Sequence, residues 1–465
     1  MASIEHLVAN LNTGDWESEI MEWARAEARD RALRLLEWKD EELAKHREPG
    51  LVVVGFRKRR VVTMFGDMVI RRRLYRDQQG KGRFLLDEAM GLDKRSLLSS
   101  GVKELALFLG SLLPFGKCEE VLRRVLPVGV SHTTIHRQVG RVIDPCLAEE
   151  EAARVKTYEE GRVSSAGQRQ SERLHIEADG VSIALQREKT RRGEIKVGIA
   201  YEGWEAAPGR DRYRLKEKTV YMRLTDAERF WQGFSLKLGD RYDLSRVAHT
   251  VVNGDGAPWV REGSAMVGGV YQLDRFHLRR ALLRGLSGDM GLAGEVYRRC
   301  VTGDHASADA LLVQAQRHGD TEQSLQVGRL RAYLLENADG LTDYRLRLGG
   351  EALRGMGAME GNVDKLIACR MKRRGMSWTL QGADRMARLL ELRRDGRLEE
   401  WIRPKHHAQT QVQVVAAEPG QRAKSRRATG DDSWLTGSMP VLDGPHCNRP
   451  WVRALNTIAH GGWNN

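Results

Sequence analysis

The sequence has few cysteines and lacks any pattern for crossing a membrane. Its 465 residues include five cysteines, none in a CxxC pair, which argues against a zinc ribbon or a disulfide framework. The chain does not start with a basic segment followed by an apolar core, so no signal peptide is predicted. No apolar run reaches the ~18 residues of a membrane span. We therefore expect a cytoplasmic, nucleoid-associated protein with reduced thiols and no membrane partner. The cysteines are Cys118, Cys146, Cys300, Cys369 and Cys447.

Aromatic and acidic residues are scarce relative to basic ones. Aromatic residues make up 6% of the chain, and 76 lysines and arginines exceed 63 aspartates and glutamates, which gives a net charge of +13 and a pI near 9.6. Such an excess favours a polyanionic partner, most often nucleic acid. An excess that serves solubility alone is the alternative. The length is sufficient for about two to four domains.

A long amphipathic helix is predicted at residues 15–47, within a first region of residues 1–50. Its apolar side chains recur at helical spacing among many charges. Such stripes are usually buried, so we interpret this one as a core or helix–helix contact. The stripe comprises Trp16, Ile20, Trp23, Leu35 and Trp38.

A basic β-hairpin is predicted in residues 51–95, where two β-rich runs flank Phe65-Gly66-Asp67. Pairing of these runs would bring two arginine clusters together on a small sheet suited to DNA phosphates. A solvated edge, on which charges prevent aggregation, is the alternative. The arginines are Arg57, Arg59, Arg60, Arg71, Arg72 and Arg73.

Residues 96–150 have the pattern of a helix-turn-helix. Three helical segments follow one another, and a short break at residues 127–130 precedes Ser131, a natural N-cap for the last helix. The polar start of that helix is suited to reading base edges, although any small three-helix bundle would give a similar pattern. The candidate DNA-contacting residues are Thr133, Thr134, Arg137 and Gln138.

The pattern changes after a charged segment at residues 147–172, which we expect to be a helix ending in a flexible linker. Five strand-like runs lie between residues 173 and 276, and a mostly polar helical stretch follows. We predict an α/β core in two parts, residues 170–280 and 351–402, interrupted by a helical insertion at residues 281–350. The tail, residues 403–465, has no periodicity.

Two aspartates stand in apolar, strand-like runs. The stretch LHIEADGVSIALQ, residues 174–186, is typical of a strand, a turn and a second strand, with Asp179 before Gly180 at its centre. Asp255 follows another apolar run and lies between two glycines. Acids at the ends of neighbouring strands can share a divalent cation such as Mg²⁺ or Mn²⁺. For either acid alone, a turn aspartate before glycine is the commoner case.

A third acid is expected on a helix that packs against the sheet. Glu360 precedes Val363 and Ile367 by three and seven residues, which places it on the inward face of the predicted helix. Asp364 lies near the same stripe and is the competing candidate.

Six segments, in this order, resemble the bacterial insertion-sequence transposases of the ISLre type: FGDMVIRRRLYRD, LLDEAMGL, HIEADGV, NGDGAPWV, YQLDRFHLRR and EGNVDKLIACRMKRRGMSW. These are DDE transposases, whose catalytic domain is similar to ribonuclease H. The resemblance implies that Asp179, Asp255 and Glu360 form the catalytic triad. Asp274 and His277 resemble an element that follows the second acid in related transposases. From the residues themselves, orientation of a triad member and a plain helix N-cap are both open.

The resemblance implies a multidomain α+β fold, with an N-terminal DNA-binding region followed by a ribonuclease H-like α/β catalytic domain that carries a helical insertion. A transposase of this type would bind the ends of an insertion sequence and hold two divalent cations, Mg²⁺ or Mn²⁺, for strand cleavage and strand transfer. Its partners would be element-end and target DNA and further copies of itself, with no small-molecule substrate.

Three other functions compete with a transposase. A metal-dependent nuclease would cut without joining, and a DNA-binding protein of the same fold would do neither. A sugar hydrolase built on two carboxylates is disfavoured by the basic charge and the low aromatic content.

Overall fold

The chain forms a helix-and-hairpin region, a three-helix group and a mixed sheet with helices on both faces. The structure, a computed structural model, describes residues 15–403 except 95, 163–166, 208–212, 350–352 and 374, so the predicted tail beyond Arg403 lies outside the described residues. The strands are β1 (Val52–Thr63), β2 (Gly66–Arg76), β3 (Gly82–Arg83), β4 (Arg173–Leu185), β5 (Arg192–Tyr201), β6 (Gly203–Ala206), β7 (Tyr213–Lys216), β8 (Thr219–Arg223), β9 (His249–Gly254), β10 (Val270–Leu273) and β11 (Ser377–Trp378).

Helices make up most of the remaining described structure. They are α1 (Trp16–Lys45), α2 (Leu85–Ala89), α3 (Ser100–Gly110), α4 (Phe115–Val125), α5 (His132–Tyr158), α6 (Ala227–Gly239), α7 (Pro258–Met266), α8 (Arg275–Gly285), α9 (Met290–Thr302), α10 (His305–His318), α11 (Thr321–Glu336), α12 (Ala338–Leu341), α13 (Tyr344–Leu348), α14 (Met359–Val363), α15 (Cys369–Met371), α16 (Leu380–Arg394) and α17 (Leu398–Ile402). None of the helices in the described ranges is long and apolar enough to cross a bilayer.

Helix α1 does not bury the stripe predicted for it. Most of that stripe, including Trp16 and Trp38, is exposed on the side of the helix that faces away from the hairpin. The prediction that this stripe makes a core contact within the chain is wrong. Helix α1 has a second apolar stripe, and the hairpin covers that second stripe. The covered stripe is formed by Ala32, Leu33, Leu36 and Leu43.

The predicted hairpin is present, and β1 pairs antiparallel with β2. Arg57 lies opposite Arg72, and Lys58 lies opposite Arg71, so the two basic clusters do meet. Cationic side chains opposite one another repel. Acidic residues of the same chain offset this repulsion. They neutralise several of the predicted DNA-binding arginines, which are then not left for a partner.

Four of the six arginines predicted to bind DNA on the hairpin form ion pairs with acidic residues of the chain. Asp87 accepts hydrogen bonds from Arg59 and Arg72, each at 2.7 Å, and these side chains are nearly buried. Arg73 pairs with Asp40 of α1 at 2.7 Å, and Arg60 pairs with Asp67. The basic residues of β1 and β2 that stay exposed are Arg57, Lys58, Arg60, Arg71 and Arg76, of which Arg60 is paired with Asp67. The prediction that Arg59 and Arg72 contact DNA is corrected on this ground.

The three predicted helices of residues 96–150 are α3, α4 and α5. The Ser131 side chain caps α5 by accepting a hydrogen bond from the Thr134 amide, as predicted. Thr133 and Arg137 are exposed, whereas Gln138 is buried. Gln138 lies three residues after Ile135, on the inward face of the helix, so its predicted base contact is wrong.

Helix α5 is longer than predicted and belongs to both regions of the chain. It continues through the expected boundary at residue 150 as far as Tyr158, and packs on α6 and α16. At its far end Arg223 of β8 pairs with Glu150 and with the fully buried Glu391 of α16. Burial would raise the pKa of Glu391, but the ammonium of Lys237 at 2.6 Å and two arginines outweigh burial and lower it to about 2. This ion cluster connects the N-terminal helix α5 to strand β8 of the sheet and to α16.

The central sheet has the order β10-β9-β4-β5-β8, and β11 also pairs with β4. Strands β4, β5 and β8 are antiparallel neighbours, while β9 and β10 run parallel to β4. All five predicted strand-like runs are strands, and the predicted insertion is helical, with α8 leading into α9–α13. The prediction of a mixed α+β fold is confirmed, and the segment predicted as an insertion is mostly helical.

Strand β4 is continuous, so the turn predicted at Asp179-Gly180 is wrong. Asp179 pairs with Val197 and Gly180 with Lys196, and the ladder to β5 continues to Ala184. Odd-numbered residues of β4 face a core shared with α5, α14 and α16, and even-numbered residues face a second core shared with α6, α7 and the insertion. Because side chains alternate along a strand, Glu177 and Asp179 point to the first of these faces.

Candidate active site

The two predicted aspartates lie at a break in the pairing along one side of β4. Strand β9 pairs with β4 as far as Ala178 opposite Gly254, and β11 resumes the pairing only at Ala184. Asp179 is the first residue past the end of the β9 ladder, and Asp255 is the first residue after β9. The carboxyl ends of parallel strands form a crevice of this kind, where α/β proteins bind ligands.

The carboxylates of Asp179 and Asp255 repel each other. The pKa of Asp179 is raised from 3.8 to about 6, first by burial and then by the negative charge of Asp255. A hydrogen bond from the Gly180 amide, at 2.7 Å, opposes this rise. The side chain is therefore ionised at neutral pH only at an energetic cost that a nearby cation would remove.

Asp255 is held by its own loop and by the helical insertion. Its side chain accepts a hydrogen bond from the Ala257 amide at 3.0 Å, and Gly256 has a φ of +97°, a conformation that favours glycine. The Tyr333 hydroxyl of α11 donates to the Asp255 carbonyl at 2.9 Å. The insertion thus braces the loop that carries the second acid.

Asp274 and His277 form a hydrogen-bonded pair beside the two aspartates. Asp274 caps α8 through the amides of Phe276 and His277, and also accepts from the His277 ring at 3.0 Å and from Asn253 at 3.0 Å. Burial would raise the pKa of Asp274, but these hydrogen bonds outweigh it and lower the pKa. The hydrogen bond to Asp274 raises the pKa of His277, and the charges of Asp255 and Asp179 add to that effect. The N-cap prediction is confirmed, and the ring of His277 lies within the field of both acids.

Glu177 joins β4 to the segment that carries Glu360. It is fully buried and accepts hydrogen bonds from the amides of Gly357, Ala358 and Met359 at 3.0–3.2 Å. The Tyr201 hydroxyl donates to it at 2.6 Å. Burial raises the pKa of Glu177, and these hydrogen bonds oppose the rise.

Glu360 is not on the buried face of its helix, contrary to the prediction. It is exposed, while its neighbour Met359 is buried. A π-helical turn at Asp364–Ala368 separates α14 from α15. Because that turn has more residues than an α-helical one, the spacing back from Ile367 does not give the orientation of Glu360. The competing candidate, Asp364, pairs with Arg373 at 2.6 Å.

The carboxylates of Asp179 and Asp255 have the chemistry that a hard divalent cation prefers, but they do not form a complete coordination shell. Within the described residues, no group of three or more His, Cys, Asp or Glu side chains is arranged to hold a metal. Carboxylate oxygens are nevertheless the ligands that Mg²⁺ and Mn²⁺ prefer. Burial and, after it, the charge of Asp255 raise the pKa of Asp179, and a cation beside the two carboxylates would stabilise their charged forms.

Three residues of this arrangement were not predicted. Glu177 is two residues before Asp179 and shares its strand face, which a continuous strand over residues 173–185 would have revealed. Asn253 stands in the same NGDG motif as Asp255 and binds Asp274. Tyr333 has no local signal, since its role depends on how the insertion packs.

Comparison with known sequences gives a family model and several relatives. Residues 8–407 match the model described as "Uncharacterised protein family (UPF0236)". A UPF0236 protein of Caldanaerobacter subterraneus subsp. tengcongensis is 26% identical over 379 residues, which cover 78% of this chain and 74% of that protein. A UPF0236 protein of Streptococcus gallolyticus, named for the vanSb 3′ region, is 26% identical over 405 residues, 85% of this chain and 86% of that protein. A further Caldanaerobacter relative, 24% identical over 371 residues (78% of this chain, 74% of that protein), has a name that joins eleven locus labels.

Replacing Asp179 with asparagine should stabilise the metal-free protein at neutral pH. Because the folded-state pKa is raised, the acid favours folding below its unfolded pKa, and this contribution is lost as the pH rises through about 6. In EDTA, the free energy of unfolding in urea should be about 2–3 kcal/mol higher for the variant than for the unsubstituted protein near pH 8. Near pH 3.5 the two values should be equal. Added Mg²⁺ should stabilise the unsubstituted protein and not the variant. An advantage that does not change with pH would contradict the assigned pKa.

Replacing Glu177 with alanine should loosen the start of α14 without unfolding the sheet. Each hydrogen bond lost contributes about 0.5–1.5 kcal/mol, so amide exchange at residues 357–359 should accelerate several-fold to about tenfold. Hydrogen-exchange mass spectrometry measures this, with the exposed Glu172→Ala as the matched control on the same segment. Equal exchange in the two variants would show that Glu177 does not hold α14.

Proposed function

The chain belongs to the UPF0236 family, and we propose that it is a DDE transposase. It binds the ends of an insertion sequence and cuts and joins DNA strands with divalent cations held by Asp179, Asp255 and Glu360. The observation that carries the proposal is the adjacency of Asp179 and Asp255 at the ladder break, with the pKa of Asp179 raised first by burial and then by the charge of Asp255.

The strand order supports a ribonuclease H-like catalytic domain. Three neighbouring strands of the sheet, β4, β5 and β8, pair antiparallel, and two later strands extend the sheet parallel to β4 on its other side. The first acid is on the central strand and the second directly follows its parallel neighbour. Such placement brings together two carboxylates that are 76 residues apart in the chain.

The site suits phosphoryl transfer on DNA. Two divalent cations, where bound, stabilise the attacking and the leaving oxygen of an in-line displacement. Mg²⁺ is commonly held by one or two carboxylates plus substrate phosphates, so an incomplete cage without DNA is compatible with the proposal. Asp179 and Asp255 supply two carboxylates, and Glu177 anchors the segment from which Glu360 is presented one residue later. His277, whose pKa is raised, is held by Asp274 beside these acids.

The family also supports a mobile-element origin. The name of one Caldanaerobacter relative joins eleven loci of a single genome. A gene repeated at many loci is what an element that copies or moves itself produces. This argument favours a transposase over a nuclease or a DNA-binding protein that does not move.

Exposed basic residues of the N-terminal region are the proposed DNA-binding surface. Lys58 and Arg71 lie opposite each other on one face of the hairpin, and Arg57 is exposed on the other face; clustered cations supply phosphate affinity. The polar start of α5, with Thr133 and Arg137 exposed, is the proposed reader of base edges.

Asp179→Asn should abolish DNA cleavage while leaving DNA binding intact. The amide is nearly isosteric but lacks the charge that holds a cation. The substrate is DNA that carries the inverted repeats flanking the gene, with Mg²⁺ present, and Asp240→Asn, an exposed acid at the end of α6, is the matched control. Nicking by the Asp179 variant would refute the site. Cleavage by the unsubstituted protein without strand transfer would indicate a nuclease, and binding without cleavage a non-catalytic DNA-binding protein.

Replacing Lys58 and Arg71 with alanine should weaken binding to DNA of any sequence. Each lost phosphate contact should lower the slope of log K against log salt by about 0.9. Arg137→Ala should instead reduce the preference for terminal over random DNA, by about 1–3 kcal/mol if Arg137 contacts a base. Arg317→Ala, an exposed arginine of α10, is the control. An unchanged salt slope in the double variant would rule out the hairpin as the phosphate-binding surface.

A further inference from the structure

Helix α1 presents a second apolar stripe to solvent. Trp16 is 52% exposed, Leu35 61% and Trp38 71%, and Ile20 is also exposed. Helical spacing places these side chains, with Trp23, on the side opposite the contacts to the hairpin. Isolated exposed apolar residues are common on a protein surface, but a contiguous aromatic stripe marks an interaction surface.

The residues of this stripe are arranged so that two copies of α1, running in opposite directions, would be complementary to each other. Three pairs of its residues have the same midpoint, residue 29: Ile20 with Trp38, Trp23 with Leu35, and Glu27 with Arg31. In an antiparallel pair of α1 helices with a two-fold axis near residue 29, each side chain lies opposite its counterpart on the other chain. Ile20 then meets Trp38, Trp23 meets Leu35 and Glu27 meets Arg31, each twice, once on each side of the axis, while Trp16 lies opposite Glu42 at the ends of the pair.

We propose that α1 pairs antiparallel with α1 of a second copy of this chain. Full burial of a tryptophan covers about 150–250 Å². Trp16 and Trp38 are 52% and 71% exposed and Trp23 is partly buried, so the six tryptophans of the pair offer on the order of several hundred Å², in the range of weak interfaces below about 1,200 Å². Glu27 and Arg31 already form an ion pair within the helix at 2.9 Å, and Arg31 remains 75% exposed. Its guanidinium therefore keeps donors free for a second carboxylate. The proposal does not depend on the chemistry of the acid site.

Sedimentation equilibrium of the full-length protein tests the pairing. The unsubstituted chain should be a dimer at micromolar concentration. Leu35→Glu should make it monomeric, whereas Leu325→Glu, on a leucine of α11 that is 60% exposed, should not. Circular dichroism checks that each variant keeps its helical content. A monomeric unsubstituted chain would overturn the proposal.

Charge exchange tests the antiparallel register. Glu27→Arg places arginine opposite Arg31 of the partner, and Arg31→Glu places glutamate opposite Glu27, so each variant alone should dimerise at least about tenfold more weakly. An equimolar mixture of the two variants should recover the dimer, because every contact is again between opposite charges. Mixing cannot repair a contact within one chain, so recovery requires pairing between chains. A dimer that resists both substitutions, or a mixture that stays monomeric, would overturn the proposed arrangement.

Discussion

The repulsion between two carboxylates at the end of a parallel ladder is the constraint on which this structure depends. Asp179 and Asp255 are brought together because β9 runs beside β4 and stops at Gly254. Burial and the charge of Asp255 then raise the pKa of Asp179 to about 6. A stable fold has no need of such a pair, and its cost is best understood as a requirement of the function that the pair performs.

The surrounding elements hold the two acids in place from several directions. Tyr333 of the insertion binds the Asp255 loop, and Asp274 aligns His277 at the start of α8. On the other face of the sheet, Glu177 fixes the start of α14, from which Glu360 projects. Helix α5 carries the proposed base-reading residues at one end and enters the ion cluster of the sheet at the other. The proposed base-reading residues and a residue of that ion cluster thus lie on one continuous helix.

Local patterns in the sequence predicted the elements well, and the failures have physical causes. Strand-like apolar runs predicted five of the six strands of the central sheet, and Ser131 was correctly predicted as an N-cap. The turn at Gly180 was wrong because a glycine can remain in a strand whose neighbours supply the pairing. Glu360 was assigned to the wrong face because a π-helical turn changes the spacing, which a 3.6-residue period cannot anticipate. The pairing of Arg59 with Asp87, and the burial of only one of two stripes on α1, depend on contacts between distant segments.

The location of bound divalent cations tests the central claim most directly. Crystals of the protein grown with element-end DNA and Mn²⁺ would show each ion as an anomalous diffraction peak. The account predicts metal density in contact with carboxylate oxygens of both Asp179 and Asp255, at about 2.0–2.2 Å, with Glu360 or a DNA phosphate completing the coordination. Metal density that avoids Asp179, or that persists unchanged in the Asp179→Asn protein, would contradict it.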